Sequence, residues 1–394
     1  MAINLLKEFV KLESKSSVLL LLAVFMAVAL ANSPWSWVYA AWIEHPFAFS
    51  LSHFQAHFSL ASIVNDGLMT VFFLLISLEV KRGFLIGELN SRKKAALPFI
   101  ASFGGILAAA LVYLLINRDS PESVQGWAIP TATDIAFSSA ILLLLGKAVP
   151  RSLRLLLTTL AIIDDLGAIL IIAIFYSAHF QIFYLLLAIC CFLILLFLNR
   201  SGIARLPLQL GLGFLLWFFI LQSHISPPTA GVLIGFTVPL AASPDGSGSP
   251  LQKLELALHP WVSYLILPIF VFVNGGLSLA HTTLSMFLNP LTLGIILGLF
   301  IGKQIGVFTS CWLAARSKLA RLPDGLTWAH LYGMSVLTGI GFTMNLFIGV
   351  LAFPEDLARL NLVKLGVFSA SFLSASCGYF ILRRVTRRKI SSRR

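Results

Sequence analysis

Two adjacent carboxylates, Asp164 and Asp165, stand in the middle of an apolar run, Leu155 to Ala178, that is long enough to cross a bilayer. An ionisable side chain at the centre of a spanning helix costs roughly 2.5–3.5 kcal/mol, and neighbouring anions raise each other's energy. Further apolar runs carry Asp134, Glu79 and Lys303. Burying the whole set costs on the order of 10–15 kcal/mol, comparable to the stability of a domain. A chain keeps such residues at membrane depth where something binds to them. The pattern therefore predicts an ion transporter.

The rest of the composition agrees. The 394 residues are 58% hydrophobic and 11% charged, against about 25% charged in soluble proteins, which predicts an all-α polytopic membrane protein. The formal charge of +12 raises the question of nucleic acid, and the placement of the basic residues excludes it. They fall in short clusters between apolar runs and at the two ends, with no basic face interleaved with aromatics. The four cysteines, Cys190, Cys191, Cys311 and Cys377, lie within apolar runs and have neither a disulfide-framework nor a metal-site spacing. No polar stretch is long enough to fold alone, so no enzyme domain and no cofactor are expected.

Along the chain, Lys7, Lys11 and Lys15 precede an apolar run from Ser17 to Ala31 that has some features of a cleavable signal peptide. Glu8 and Glu13 are unusual in such a leader. A retained first span, continuing through Trp35, Trp37 and Trp42, is the preferred reading. Partial alternation over 45–58 predicts a short external hairpin; His53 and His57 within it lack a third metal ligand. Spans are expected near Leu60–Leu78, Ala95–Ile116, Gly126–Gly146, Leu155–Ala178, Phe180–Leu198, Leu206–Gln222, a stretch ending near Leu240, Leu256–Leu279, Pro290–Ala314, Trp328–Leu351 and Leu360–Leu382. A Gly-, Ser- and Pro-rich cytoplasmic linker occupies 243–250. About twelve spans put both termini on one side. With both inside, every Lys and Arg lies in or beside an inner segment except Arg118, Arg359, Lys364 and the intramembrane Lys303, as the positive-inside rule requires.

A hard monovalent cation such as sodium is held by oxygen ligands, and carboxylates also supply neutralising charge. The same carboxylates accept protons, and desolvation favours their neutral form. Sodium and protons then compete for one site, which is the simplest physical basis of exchange. Adjacent helix residues point about 100° apart, so Asp164 and Asp165 are not equivalent: one faces the ion while the other can pair with Lys303. Two spans look interrupted. The fourth reads GWAIPTATDIAFS, with Pro130, Thr131 and Thr133 before Asp134, and the eleventh reads TGIGFTMNLFI, with Gly339 and Gly341. Interrupted helices at membrane depth are tolerated around a cavity. If the two breaks oppose each other, Asp134 balances the positive helix ends and Lys303 the negative ones.

These strings, TATDIAF, AIIDDLGAI, FFLLISLEVKR, GKQIG and TGIGFTM, together with LHPW from Leu258, resemble the NhaA-type sodium/proton antiporters of bacterial inner membranes. The likeness runs over nearly the whole chain, in order and in the corresponding spans. It implies one transporter domain over 1–394, built from inverted repeats at about 95–178 and 290–382, with the fourth and eleventh spans broken and crossing. It further implies Asp164 and Asp165 as the sodium (or lithium) and proton site, Asp134 and Lys303 as charge compensators supported by Thr133, Gly339 and Gly341, and electrogenic exchange. A homodimer, formed partly through the external hairpin, is implied as well. The family's cytoplasmic pH-sensing cluster corresponds to Glu79, Arg82, Glu255 and His259.

Departures from the resemblance fall in that cluster. Gly83 stands where an acid is expected, Leu256 where a histidine follows the glutamate, and Ser226 in place of another histidine. The transport motifs are intact. A sodium-coupled symporter of related architecture is the alternative, but it needs a polar pocket for an organic anion, and no Arg or Asn cluster stands in the fourth or eleventh span. An intramembrane aspartyl protease using Asp134 and Asp164 would resemble its class in a Gly-x-Gly-Asp segment; here Phe342 follows Gly341.

Overall fold

Long apolar runs leave the backbone two ways to satisfy its polar groups in lipid, helix or closed barrel, and this chain takes the first. The computed structural model describes residues 2–45, 47–51, 54–87, 90–176, 181–201, 206–240, 249–280, 282–354 and 356–391. Its main helices are α1 (Ala2–Ala31), α2 (Ser36–Glu44), α3 (Leu60–Ile86), α4 (Arg92–Asn117), α5 (Pro121–Thr131), α6 (Ile135–Leu144), α7 (Arg151–Phe175) and α8 (Ile182–Arg200). They continue with α9 (Leu206–Gln222), α10 (Pro228–Thr237), α11 (Pro250–Asn274), α12 (Pro290–Arg316), α13 (Trp328–Leu337), α14 (Phe342–Ala352) and α15 (Leu357–Ser391). Among the described residues the only sheet pairs β1 (Phe47–Leu51) with β2 (Phe54–Phe58), antiparallel, with Phe47 opposite Phe58 and Leu51 opposite Phe54. Residue 53, one of the two histidines noted above, and most of the 243–250 linker lie outside the described residues.

Among the described residues, seven helices are long and apolar enough to cross a membrane, or ten if each of three bent pairs counts as one span; α9 and α10 are shorter apolar helices. Large apolar side chains such as Phe25, Leu144, Phe197 and Phe372 face outward, a distribution that suits lipid and not water. The chain is a multi-pass membrane protein.

Several boundaries differ from the sequence expectation, each for a local reason. The first span does not run on to Trp42. Asn32 Nδ2 donates to the Val28 carbonyl at 2.8 Å and Ser33 Oγ to that of Leu30 at 2.9 Å, closing the end of α1. Pro34 cannot continue it, and α2 leaves at 112°. Helix α3 runs past Leu78 to Ile86, so Glu79, Lys81 and Arg82, expected to end the span, are followed by a further turn of helix. Helix α11 begins at Pro250, before the expected Leu256, because Ser249 Oγ accepts from Gln252 N at 3.2 Å and Pro250 suits the first helical position. Helix α15 carries the basic tail on to Ser391.

The chain divides into two compact units. One comprises Met1–Val18, Glu88–Ala168 and Leu277–Arg394, with a core that includes Leu97, Leu153, Leu160, Leu331 and Leu337. The other comprises Leu19–Gly87 and Ile169–Gly276, around Leu78, Leu195, Leu216, Val238 and Leu251. Within the first, small residues let α4 and α12 approach closely. A Cβ on Gly302 would come 2.9 Å from Ala109 Cα and 3.0 Å from the Ala108 carbonyl oxygen, and one on Gly105 would come 3.5 Å from the Lys303 side chain. This is the small-residue packing that membrane helices use. Here it lays the stem of Lys303 along α4. Lys303 also closes a π-helical turn, Gly298–Lys303, a distortion that often marks a functional position.

Candidate functional site

The site is built where two helices stop. After α5 the chain is extended at Ala132 and Asp134, and α6 restarts 48° away; after α13 it turns through 338–341, and α14 leaves at 42°. Pro130 lacks an N–H and so weakens the first helix at its end. At the second break glycine is required by contact. A Cβ on Gly339 would come 2.6 Å from the Leu299 carbonyl oxygen and also strike Ser374, while one on Gly341 would collide with the Asn345 side chain.

The two breaks lie against each other. Asp134 N donates to the Ile340 carbonyl at 2.7 Å. The Asp134 carboxylate then serves two helix starts at once. Its Oδ1 accepts from Phe137 N of α6 at 3.0 Å, and its Oδ2 accepts from Thr343 N of α14 at 2.9 Å and from Thr343 Oγ1 at 2.6 Å. An anion at a helix N-terminus is favoured by the unpaired N–H groups and the helix dipole, and here one carboxylate answers two such ends.

The opposite charge sits at a carbonyl end. Lys303 is fully buried; its Nζ donates to the Thr131 carbonyl at the end of α5 and pairs with Asp164 Oδ2 at 2.7 Å. Asp164, also fully buried, accepts from Ser102 Oγ at 2.5 Å on Oδ1 and from Thr133 Oγ1 at 2.7 Å on Oδ2. Thr133 Oγ1 also lies 2.9 Å from the Thr338 carbonyl. A hydroxyl has one hydrogen, so Thr133 donates to the carboxylate or to the carbonyl, not to both. Asp165, the next residue on α7, is 2% exposed, and by helix geometry its side chain leaves in a different sector from that of Asp164.

A buried ion pair whose remaining lone pairs are met by hydroxyls satisfies the conditions under which such a pair survives in a low-dielectric interior. A small cation reaching Asp164 would find a carboxylate, hydroxyl oxygens of Ser102 and Thr133 and a backbone carbonyl, all hard donors, and would compete with the Lys303 ammonium for one charge.

Thus Asp134, Thr133, Asp164, Lys303, Gly339 and Gly341 share one neighbourhood in the first unit. Ser102, Thr343 and Asn345 complete it and were not anticipated. Ser102 and Thr343 are small hydroxyl residues inside apolar helices, a pattern too common to single out, although Thr343 lies within the TGIGFTM string. Of the residues that the resemblance assigns to pH sensing, Arg82 and Glu255 meet in the second unit. Arg82 Nε contacts Glu255 Oε2 at 2.8 Å and Oε1 at 3.0 Å, joining α3 to α11; the Glu255 side chain is 12% exposed. Glu79 lies one turn before Arg82 on α3, and His259 one turn after Glu255 on α11. The neighbouring Lys81 donates to the Phe236 and Val238 carbonyls at 2.6 and 2.7 Å, closing the end of α10.

Residues 7–382 match the family described as Na+/H+ antiporter 1. A Syntrophotalea carbinolica protein named Na(+)/H(+) antiporter NhaA 1 is 45% identical over 396 residues, covering 99% of this chain and 98% of that protein. Proteins named Na(+)/H(+) antiporter NhaA from Rhodospirillum rubrum and Nitrobacter hamburgensis are each 47% identical, the first covering 97% of this chain and 98% of its own length, the second 96% and 91%. Intramembrane charges set at two helix breaks, and a family match over almost the entire length, lead to one assignment: the chain belongs to the Na+/H+ antiporter 1 family.

Proposed function

We propose that this protein exchanges sodium or lithium for protons across a bacterial inner membrane, electrogenically and under control of pH, by alternating access to a site at Asp164 and Asp165. The observation that carries this reading is the Asp164 carboxylate, fully buried and shared by Lys303 Nζ, Ser102 and Thr133 beside two facing helix breaks. Its ligands are those a hard cation uses, its own charge is one that a proton can neutralise, and its Lys303 partner is one that a cation can displace.

The exchange follows from charge balance. With no cation bound, Lys303 balances Asp164 and Asp165 holds a proton. An arriving sodium ion takes both carboxylates as ligands: Asp165 gives up its proton, and Lys303, displaced from Asp164 by the ion, gives up a second from its ammonium. When the site opens to the opposite side, protons displace the ion and Lys303 returns. Once Asp164 no longer needs its hydrogen bond, the single Thr133 proton turns to the Thr338 carbonyl. Asp134 stays bound to its two helix starts throughout, a compensator and not a ligand. Two carboxylates and an ammonium allow more protons than sodium ions to move per cycle, hence the electrogenic stoichiometry.

The same reading makes the bent pairs α5–α6 and α13–α14 the broken fourth and eleventh spans of inverted repeats at 95–178 and 290–382, within about twelve spans, with α9 and α10 crossing as short ones. Both termini are cytoplasmic, and the assembly is a homodimer. The Arg82–Glu255 pair, with Glu79 and His259, forms the pH-responsive group. Everted membrane vesicles test the function. Sodium and lithium salts should each collapse a preformed acid-inside pH gradient while potassium does not. No collapse by either ion at any pH, or collapse only with an added organic anion, would overturn it.

A further inference from the structure

The carbonyls at the end of α5 pose an accounting problem. The helix stops at Thr131 and the chain becomes extended at Ala132, so the last carbonyls have no helical N–H ahead of them, and at this burial each needs a donor. Thr131 Oγ1 supplies one to the Ala128 carbonyl at 2.7 Å, and Lys303 supplies one to that of Thr131. Two more carbonyls at the break, those of Ile129 and Ala132, face the other interrupted helix. Asn345 of α14 is fully buried, and with its amide nitrogen turned to the break it donates one hydrogen to the Ile129 carbonyl at 2.9 Å, while the second lies between the carbonyls of Gly341 at 3.2 Å and Ala132 at 3.3 Å. The opposite orientation would face the amide oxygen to acceptors alone.

We infer that Asn345 is a positioning residue for cation binding: its amide clamps the 129–132 backbone to α14 and so holds the Thr133 hydroxyl against Asp164. Thr133 has a clamped residue on each side. Ala132 is tied to Asn345, and Asp134 is tied through its own N–H to Ile340 and through its carboxylate to Thr343. With both neighbours fixed to the eleventh-span segments, Thr133 Oγ1 has little freedom to leave its 2.7 Å contact with Asp164. The charged groups around the clamp are Lys303, on the Thr131 carbonyl, Asp134, on Thr343, and Asp164, on Thr133. An uncharged amide can donate to the Ile129 and Ala132 carbonyls without altering that balance. Gly341 serves the same purpose, since any side chain there would occupy the space of the Asn345 amide.

The inference rests on the proposed ion site, and its test separates the two. Asn345→Leu keeps the branched shape, though it is bulkier, and removes both donors. In proteoliposomes the apparent KM for sodium should rise roughly five- to tenfold, the loss of about one net hydrogen bond, while the rate at saturating sodium stays within about twofold. Thr133→Val should raise KM similarly, and the double variant should be no worse than Thr133→Val alone, because both substitutions act through one hydroxyl. A residue that only supported folding would lower the amount of active protein and leave KM unchanged. Should Asn345→Leu not fold, Asn345→Ser, which retains a donor, takes its place with a smaller rise in KM expected. An unchanged KM in a folded variant, or multiplicative effects in the double, overturns the inference. Asp165→Asn in the same assay keeps the outcomes apart: normal exchange by that variant would instead remove the ion-site reading.

Discussion

Lys303→Ala removes the cation at the centre of the site, and the structure sets the scale of the effect. Lys303 and Asp164 are both fully buried and 2.7 Å apart, and Lys303 also holds the Thr131 carbonyl. Without it, Asp164 keeps two hydroxyl donors and no counter-charge, and a carbonyl at the end of α5 loses its donor. Breaking a buried pair from one side costs about 3–5 kcal/mol, a large share of the roughly 5–15 kcal/mol that holds a typical domain together. Lys303→Ala should therefore melt well below the parent in detergent and lose exchange. Adding Asp164→Asn removes the orphaned charge, so the double variant should recover much of the thermal stability while remaining inactive. Lys303→Arg keeps a permanent charge and should fold better than Ala with altered pH dependence of exchange. Melting followed by intrinsic fluorescence, paired with vesicle exchange, reads all three. Parental stability and transport in Lys303→Ala, or no recovery in the double variant, would refute the pairing argument.

Asp134→Ala strips the shared cap from α6 and α14 and should lower stability by about 1–3 kcal/mol, measured by melting, with Asp134→Asn costing less. Gly341→Ala places a methyl in the space of the Asn345 amide and should raise the apparent KM for sodium in the direction expected for Asn345→Leu; equal KM values would show that the break can shift to make room. Glu79→Gln should displace the pH profile of exchange without abolishing it, because Glu79 stands on α3 one turn from Arg82 and makes no part of the ligand set around Asp164. With Gly83, Leu256 and Ser226 lacking titratable groups, the profile should rise less steeply with pH than a three-histidine cluster would give. A steep rise from neutral to about pH 8 that disappears on mutating His259 alone would contradict this.

The helical membrane architecture was legible because its signal is repeated: run after run of apolar residues, punctuated by Lys and Arg. The ion-site candidates were legible for a related reason. An ionisable residue in lipid is costly enough that Asp134, Asp164 and Lys303 draw attention unaided, and the Pro and Gly residues near the breaks mark where a helix weakens. Helix ends were less legible. Pro34 turned the chain before Trp42, whereas Glu79 to Arg82 carried α3 onward; charged residues mark a membrane boundary without ending a helix. Least legible were the neutral partners. Ser102, Thr343 and Asn345 are ordinary residues for a membrane helix, and their importance comes from what faces them across the fold. The π-helical turn before Lys303 likewise arises from packing. The glycines of α12, Gly298, Gly302 and Gly306, recur every four residues, which signals close helix contact without saying which residue the contact will aim.

The central claim is that sodium and protons share one carboxylate pair, and sodium binding to Asp165→Asn tests it most directly. Asparagine keeps the size and hydrogen-bonding capacity of aspartate but removes the charge and the proton site, so a loss reports ionisation and not packing. Purified protein, first shown to be folded by its melting curve, is titrated with sodium in a calorimeter, and the same variant is assayed for exchange in vesicles. The account predicts that sodium binding and sodium-driven proton movement disappear together. Normal exchange by a folded Asp165→Asn protein, or sodium binding unchanged from the parent, would contradict it.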